Sequence, residues 1–322
     1  VDENWNTTDQ VTTKFTTENT GEFGYDLIMK DVNGDGIHDV IVSAPKENSN
    51  SGVIYIWDGE NLDSVNDTDT ADVVLFGDEN FGSSKSGISM TSNDIDGDGY
   101  NDLLIGAPYA DEPLTNAGAV FLWDGGDIEF DKQSHNLSQS KAIFVGDQLA
   151  GFSGEQVFAA DSNDDGLSEF VISSPKYDGT EEDVGRVSFF VGGEYTGIWD
   201  ISETAQSHFW GTNYGDKIGI SIEMQDWDGD GVGDLFIGAP YLSDAFSQQG
   251  AVFGFANVHS HFGELSIIDA DFRIDGTQNS SHLGQQIEIF DFDDDQDNDL
   301  LISAPNHSEG SVGGGSIVSR AL

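Results

Sequence analysis

Cysteine is absent from the 322 residues, so no disulfide can staple the fold and thiol nucleophiles are excluded. Basic residues are scarce: 11 Lys and Arg stand against 60 Asp and Glu, a formal net charge of -49. Nucleic acid and anionic membrane surfaces are poor partners for such a chain, because both are held by Lys and Arg that displace counterions. No apolar run approaches the length that spans a membrane, so no direct membrane insertion is expected. No signal peptide is visible, and the chain opens on Val1 rather than Met, so removal of a preceding segment is expected. The H-E-x-x-H and G-x-S-x-G patterns are missing too, which removes the commonest sequence marks of zinc proteases and serine hydrolases.

A charge this large suggests disorder. The apolar content argues otherwise: 37% of residues are hydrophobic, with 21 Phe and 6 Trp spread in short runs throughout. The chain therefore reads as a folded protein with an acidic skin. Carboxylates gathered for metal ligation are one cause of such a skin, and life in high salt, where screening removes self-repulsion, is another. The shortage of Lys favours a halophilic source. Asn6, Asn66, Asn136, Asn279 and Asn306 open N-x-S/T sequons, compatible with export and glycosylation.

The acids are periodic. Nine-residue acidic loops begin at Asp31, Asp94, Asp161, Asp226 and Asp291, spaced 63, 67, 65 and 65 residues apart. A Gly-containing turn precedes each, as in "FGYDLI" and "FGSSKSGI". An apolar run ending in a small-small-Pro corner follows, as in "DLLIGAP" and "DLFIGAP". Another apolar run then opens with Gly, as in "GVIYIWDG", and a further short run ends the unit. About four short strands per unit, with no helical periodicity, predict an all-β chain: a β-propeller of five four-stranded blades in one domain, 1–322. The repeats run approximately 17–77, 78–146, 147–211, 212–276 and 277–322, the last completed by 11–16. The N-terminal run "VTTKFT" is expected to pair with the last blade and close the ring, leaving no open edge. The rival arrangement is part of a larger ring, completed by further chain or another subunit.

The loops place oxygens at alternate residues, as a hard ion with six to eight oxygen ligands requires. The first offers Asp31, Asn33, Asp35 and Asp39, with the Ile37 carbonyl. The second offers Asp94, Asp96, Asp98 and Asp102 with Tyr100, and the third Asp161, Asn163, Asp165 and Glu169 with Leu167. The fourth offers Asp226, Asp228, Asp230 and Asp234 with Val232, and the fifth Asp291, Asp293, Asp295 and Asp299 with Asp297. In the fifth loop Gln296 replaces the glycine at the bend; in the third, Glu169 has a longer arm. The twelfth position is Val or Ile, so these are not EF-hands, and the ninth-position acid is the last ligand before the next strand. A solvated Asx-rich turn explains one such loop; recurrence at a constant period favours calcium, up to five ions. Zinc would want Cys or His, and magnesium fewer protein ligands. Five calcium ions would offset ten of the 49 net negative charges, so the rest belongs to the surface.

Phe-Gly (Phe23-Gly24, Phe81-Gly82), the acidic loop and Gly-Ala-Pro (Gly106 to Pro108, Gly238 to Pro240) together resemble the FG-GAP repeat of integrin α-subunit propellers. The resemblance covers roughly residues 11 to 322. It implies calcium loops joining the first two strands of each blade on one face, and partner docking on the other. The partner loops it implies are Lys46 to Ser51, Tyr109 to Ala117, Lys176 to Val184, Tyr241 to Gln249 and Asn306 to Gly313, with Tyr109, Tyr177, Tyr241 and Phe246 as anchors. Five repeats rather than the seven of integrins speak against an integrin role as such.

Seven His and many carboxylates single out no catalytic set; "HSH" at 259 to 261 could begin a metal or acid-base site, but reads better as an exposed polar stretch between blade strands. The expectation is a non-enzymatic, extracellular or cell-surface module for adhesion, whose partner is a protein or glycan. The alternative is a self-assembling structural subunit of a surface filament, cell envelope or virion. Less favoured is a part of a secreted hydrolase or lyase.

Overall fold

Short runs of Val, Ile, Leu and Phe, punctuated by Gly, Asn, Asp and Pro, are too brief for helices and suit paired strands. A computed structural model describes residues 13–63, 65–128, 130, 132–292, 297–308 and 316–320. Among them the only helices are two four-residue pieces and isolated 3-10 turns; the rest of the regular structure is strand.

Five units follow one another as antiparallel meanders. Unit 1 comprises Leu27–Lys30, Asp39–Ala44, Val53–Trp57 and Val73–Phe76. Unit 2 comprises Met90–Asn93, Asp102–Ala107, Ala119–Trp123 and Ala142–Val145. Unit 3 comprises Val157–Ala160, Glu169–Ser174, Arg186–Phe190 and Ser207–Trp210. Unit 4 comprises Ser221–Gln225, Asp234–Ala239, Ala251–Phe255 and Phe272–Asp275, and unit 5 Ile287–Phe290, Asp299–Ala304 and Ser316–Arg320. The sheets of units 1 to 3 carry a fifth strand lent by the following unit and paired in parallel: Gln133–Asn136, Gly197–Asp200 and Gly263–Ser266. Sequence reading did not anticipate these strands.

The sheets pack face to face, and the core lies between them. Ile41, Ile54 and Ile56 of unit 1 share a cluster with Leu103, Ile105 and Phe121 of unit 2. Leu104 and Leu122 of unit 2 meet Phe170, Ile172 and Phe190 of unit 3, with the Phe170 and Phe190 rings stacked 4.6 Å apart. The same layering joins units 3 and 4, and units 4 and 5. The glycine that opens the third strand of units 1 to 4 marks a close approach. At Gly118, with φ +85°, an added Cβ would lie 2.1 Å from the Ser153 carbonyl oxygen of the next unit.

First strands of successive units lie side by side along the chain. The two ends differ from the middle. Leu27 and Met29 are 60% and 61% exposed, whereas their counterparts Met90 and Ser92 are buried under unit 1. At the far end Phe290 and Phe292 are 46% and 58% exposed. Lys14–Thr16 pairs in parallel with Val65–Asp67, as the fourth strands of units 1 to 3 pair with their lent strands. It therefore occupies the place of an outermost strand. Among the described residues no pairing joins it to Ser316–Arg320.

Candidate metal centres

Each acidic loop is the hairpin between the first two strands. Lys30 pairs with Asp39, Asn93 with Asp102, Ala160 with Glu169, Gln225 with Asp234 and Phe290 with Asp299, so the ninth loop residue opens the second strand as expected. Within the hairpin the side chains fold inward onto backbone amides. Asp31 Oδ1 accepts from Gly34 N at 2.7 Å and Oδ2 from Gly36 N at 2.8 Å. Asp94 does the same with Gly97 and Gly99, and Asp226 with Gly229 and Gly231. The third residue accepts from the amide of the fifth, and the fifth from the seventh: Asp35 N to Asn33 and Ile37 N to Asp35, through to Val232 N to Asp230. Asp161, Asn163, Asp165 and Leu167 repeat the pattern, with Asp164 at φ +58° where the other described loops have glycine.

These bonds would serve an ordinary Asx-rich turn. They do not supply a counter-charge. Carboxylate oxygens of Asp94, Asp96 and Asp102 lie within 4.8 Å of one another, and so do those of Asp226, Asp228 and Asp230. Clustered hard anionic oxygens fit calcium rather than a softer ion. Asn33 and Asn163 substitute neutral carboxamide oxygens in the first and third loops. Asp293 and Asp295 of the fifth loop lie outside the described residues, while Asp291, Asp297 and Asp299 lie within them.

The ninth-position acid does more than sequence suggested. Asp39 is buried; Oδ2 accepts from Val32 N at 2.9 Å and Oδ1 from Gly59 N at 3.0 Å, in the turn after the third strand. Asp102 and Asp234 bind the equivalent pairs, Ile95 with Gly125 and Trp227 with Asn257. Burial pushes the carboxyls of Asp39 and Asp234 upward against these amides, and that of Asp98 upward against the Tyr100 amide. It carries Asp102 up to about 7, with Asp96 and Asp124 adding repulsion. Crowded, partly buried carboxylates of this kind are what a cation relieves.

Neighbouring loops interlock. Asn101 donates to the Asp31 carbonyl at 2.7 Å, Asn298 to the Asp226 carbonyl at 2.7 Å, and Ser168 N to the Asp94 carbonyl at 2.8 Å. The third loop departs furthest. Glu169 Oε2 takes both the Ser162 amide and its hydroxyl, and His259 Nε2 lies 2.8 Å from Ser162 Oγ. His259 and His261 are therefore half-buried packing residues, not the exposed stretch expected; His261 sits against Phe209 and Phe255. In the second loop, Lys141 forms ion pairs with Asp96 and Asp124. Burial works against its charge, but the hydrogen bonds to those two carboxylates prevail and hold it well above the usual lysine range.

The loops after the Pro corners lie at the opposite ends of the strands. Tyr109 packs edge-on against Phe152 at 5.0 Å beneath Lys85. Tyr177 donates to Asp147 at 2.5 Å with the Arg186 guanidinium over its ring, and Tyr241 packs on His282. These three tyrosines are fixed by local contacts, and Phe246 remains exposed. Asn306–Ser308 is the described part of the fifth such loop.

One acid outside the loops has its own signature. Glu223, beside Glu288 on the adjoining strand, is raised to about 8 by burial and then by that neighbour. Its proton is retained in the folded chain at pH values where the unfolded chain has lost it. Stability is therefore expected to fall as pH rises from about 4.5 to about 8. Glu223→Gln should remove that slope and stabilise the chain at pH 8.5 by about 2 kcal/mol. Urea unfolding of both proteins across this range checks it; parallel curves count against the burial.

Residues 23–57 and 86–123 match the family described as FG-GAP repeat. These two segments carry FG-GAP repeats. It is 27% identical over 216 residues to phosphatidylinositol-glycan-specific phospholipase D of Bos taurus, across 62% of this chain and 24% of that protein. It is 30% identical over 175 residues to integrin alpha-5 of Xenopus laevis, across 52% of this chain and 15% of that protein. Among solved structures a rhamnogalacturonan lyase of Bacillus licheniformis aligns with TM-score 0.47 and 14% identity, over 91% of this chain and 48% of that one. The chain thus spans about a quarter or less of these two curated relatives. The expectation of a non-enzymatic chain is overturned by the first of them. Sequence similar to this chain's belongs to proteins named as a phospholipase D, so the repeats here do not mark the chain as free of catalytic function. Among the described residues no helix is long and apolar enough to cross a membrane.

Proposed function

We propose that this FG-GAP chain is a calcium-stabilised interaction module that docks a protein or glycan outside the cell. The observation that carries the reading is the repeated hairpin: in units 1 to 4 the first carboxylate of the loop is pinned by two amides, and in units 2 and 4 further acids gather with it around one point. A calcium ion there would neutralise the acids and tie the first hairpin of unit 2 to that of unit 1, and of unit 5 to that of unit 4, through the Asn101 and Asn298 bridges. Only the folded chain assembles the cage, so the ion adds stability by mass action. The loops at the opposite ends of the strands are then held rigid for a partner, with Phe246 the exposed aromatic among them. Integrin alpha-5 among the relatives supports the interaction role. Closure of five blades into a ring by the N-terminal strand belongs to the same proposal; the outermost-strand placement of Lys14–Thr16 supports it. An acidic surface of this size suits a halophilic source.

Native mass spectrometry of the intact chain tests the metal, with four to five calcium ions per molecule expected. Glycan and protein arrays probed with and without chelator test the module, with binding expected only in calcium. An ion count of zero, or partner binding indifferent to chelation, would sink the reading.

A further inference from the structure

The second and fourth loops present the same all-acid set, Asp94, Asp96, Asp98 and Asp102 against Asp226, Asp228, Asp230 and Asp234. They differ in what stands beside them. Ahead of the fourth strand, unit 1 has Asp72 and unit 4 has Asp271, each accepting an amide from the turn after the third strand: Asp58 N and Ala256 N. Unit 2 has Lys141 at that place. Its ammonium bonds Asp96 Oδ2 and lies 2.5 Å from Asp124 Oδ2, with Glu194 at 3.4 Å. The other oxygen of Asp96 is already engaged by Asp98 N at 3.1 Å. In unit 4, Asp228 has the matching amide bond from Asp230 N, and among the described residues no lysine reaches it.

From this we infer that Lys141 is a tethered cation that sets the metal affinity of the second loop. The ammonium holds the third-position carboxylate that a calcium ion would need, so the ion binds only by displacing it onto Asp124 and Glu194. The loops then fill in order, the fourth at lower calcium than the second, although their ligand sets are identical. Lys141 is a positioning residue here, since it acts through Asp96 and does not touch the ion. The inference rests on the calcium reading of the loops.

The experiment is a calcium titration of the whole chain by isothermal calorimetry, with native mass spectrometry counting ions at each step. Four proteins are compared: wild type, Lys141→Met, Lys141→Gln and Asp94→Ala. Asp94→Ala deletes the binding step that belongs to the second loop and so identifies it. That step is expected to be the weaker of the two all-acid loops, and both lysine variants should tighten it about tenfold while leaving the other steps in place. Unfolding curves in chelator show that the variants fold, and the glutamine variant keeps most of the side-chain volume should methionine pack badly. If calcium binds but the second-loop step is unmoved in both variants, the role of Lys141 is refuted while the calcium reading stands. If no step appears in any protein, both fall together.

Discussion

Removal of calcium is expected to lower the unfolding midpoint of this chain by roughly 20 °C. The magnitude follows from mass action. At calcium about a hundred times above the dissociation constant, each site adds about 2.7 kcal/mol, so the four loops described in full add about 11 kcal/mol together. A chain of this size shifts by about 2 °C per kcal/mol. Loss of the ions leaves clustered carboxylates unscreened, and the Asn101 and Asn298 bridges pass that disturbance to the neighbouring hairpins. The measurement is thermal unfolding in high salt, with calcium and then with excess chelator. High salt matters because it screens the acidic surface and leaves the caged acids as the main difference. A midpoint that does not move would reduce the loops to acidic turns and leave the FG-GAP match as a statement about fold.

The parts legible in the sequence were those written in local periodicity. Loop, corner and third-strand glycine recur about every 65 residues, and the hairpin register that places Asp39, Asp102, Glu169, Asp234 and Asp299 at the start of a strand followed from that pattern. The lent parallel strands were not legible. "QSHN", "GIWD" and "GELS" are four-residue segments whose burial does not alternate, and they are strands only because a preceding unit offers an edge. The tyrosines after the Pro corners looked like contact residues because their partners, Phe152, Arg186 and His282, lie in other segments.

Long-range chemistry was hidden for the same reason. Lys141 lies 45 residues from Asp96, and nothing in either stretch announces the ion pair. The double grip of the ninth-position acid needs Gly59, Gly125 or Asn257, each at least 20 residues onward. That grip corrects the simple picture in which every loop acid exists for the ion. Some hold the hairpin to the rest of its sheet, and would do so with no metal present. The phospholipase D relatives make a similar point about function: a chain that reads as an interaction scaffold is similar in sequence to proteins named as enzymes.

Substitution of two acids in the fourth loop should separate scaffold from ligand. Asp234 is buried and accepts Asn257 N at 2.8 Å and Trp227 N at 3.1 Å, one on each carboxylate oxygen. Asparagine in its place turns an NH2 group toward one of those amides, leaving a buried donor facing a donor. Asp234→Asn is therefore expected to cost about 3 kcal/mol with calcium and nearly as much in chelator. Asp228 lies on the exposed side of the loop and uses one oxygen for Asp230 N, a bond asparagine can keep. Asp228→Asn should cost about 1–2 kcal/mol in calcium, through weaker binding, and almost nothing in chelator. Urea unfolding of both variants in the two conditions gives the four values. Equal costs for Asp228→Asn with and without calcium would remove it from the ligand set. A chelator-insensitive Asp234→Asn would establish that the last acid of this loop folds the hairpin whether or not an ion is bound.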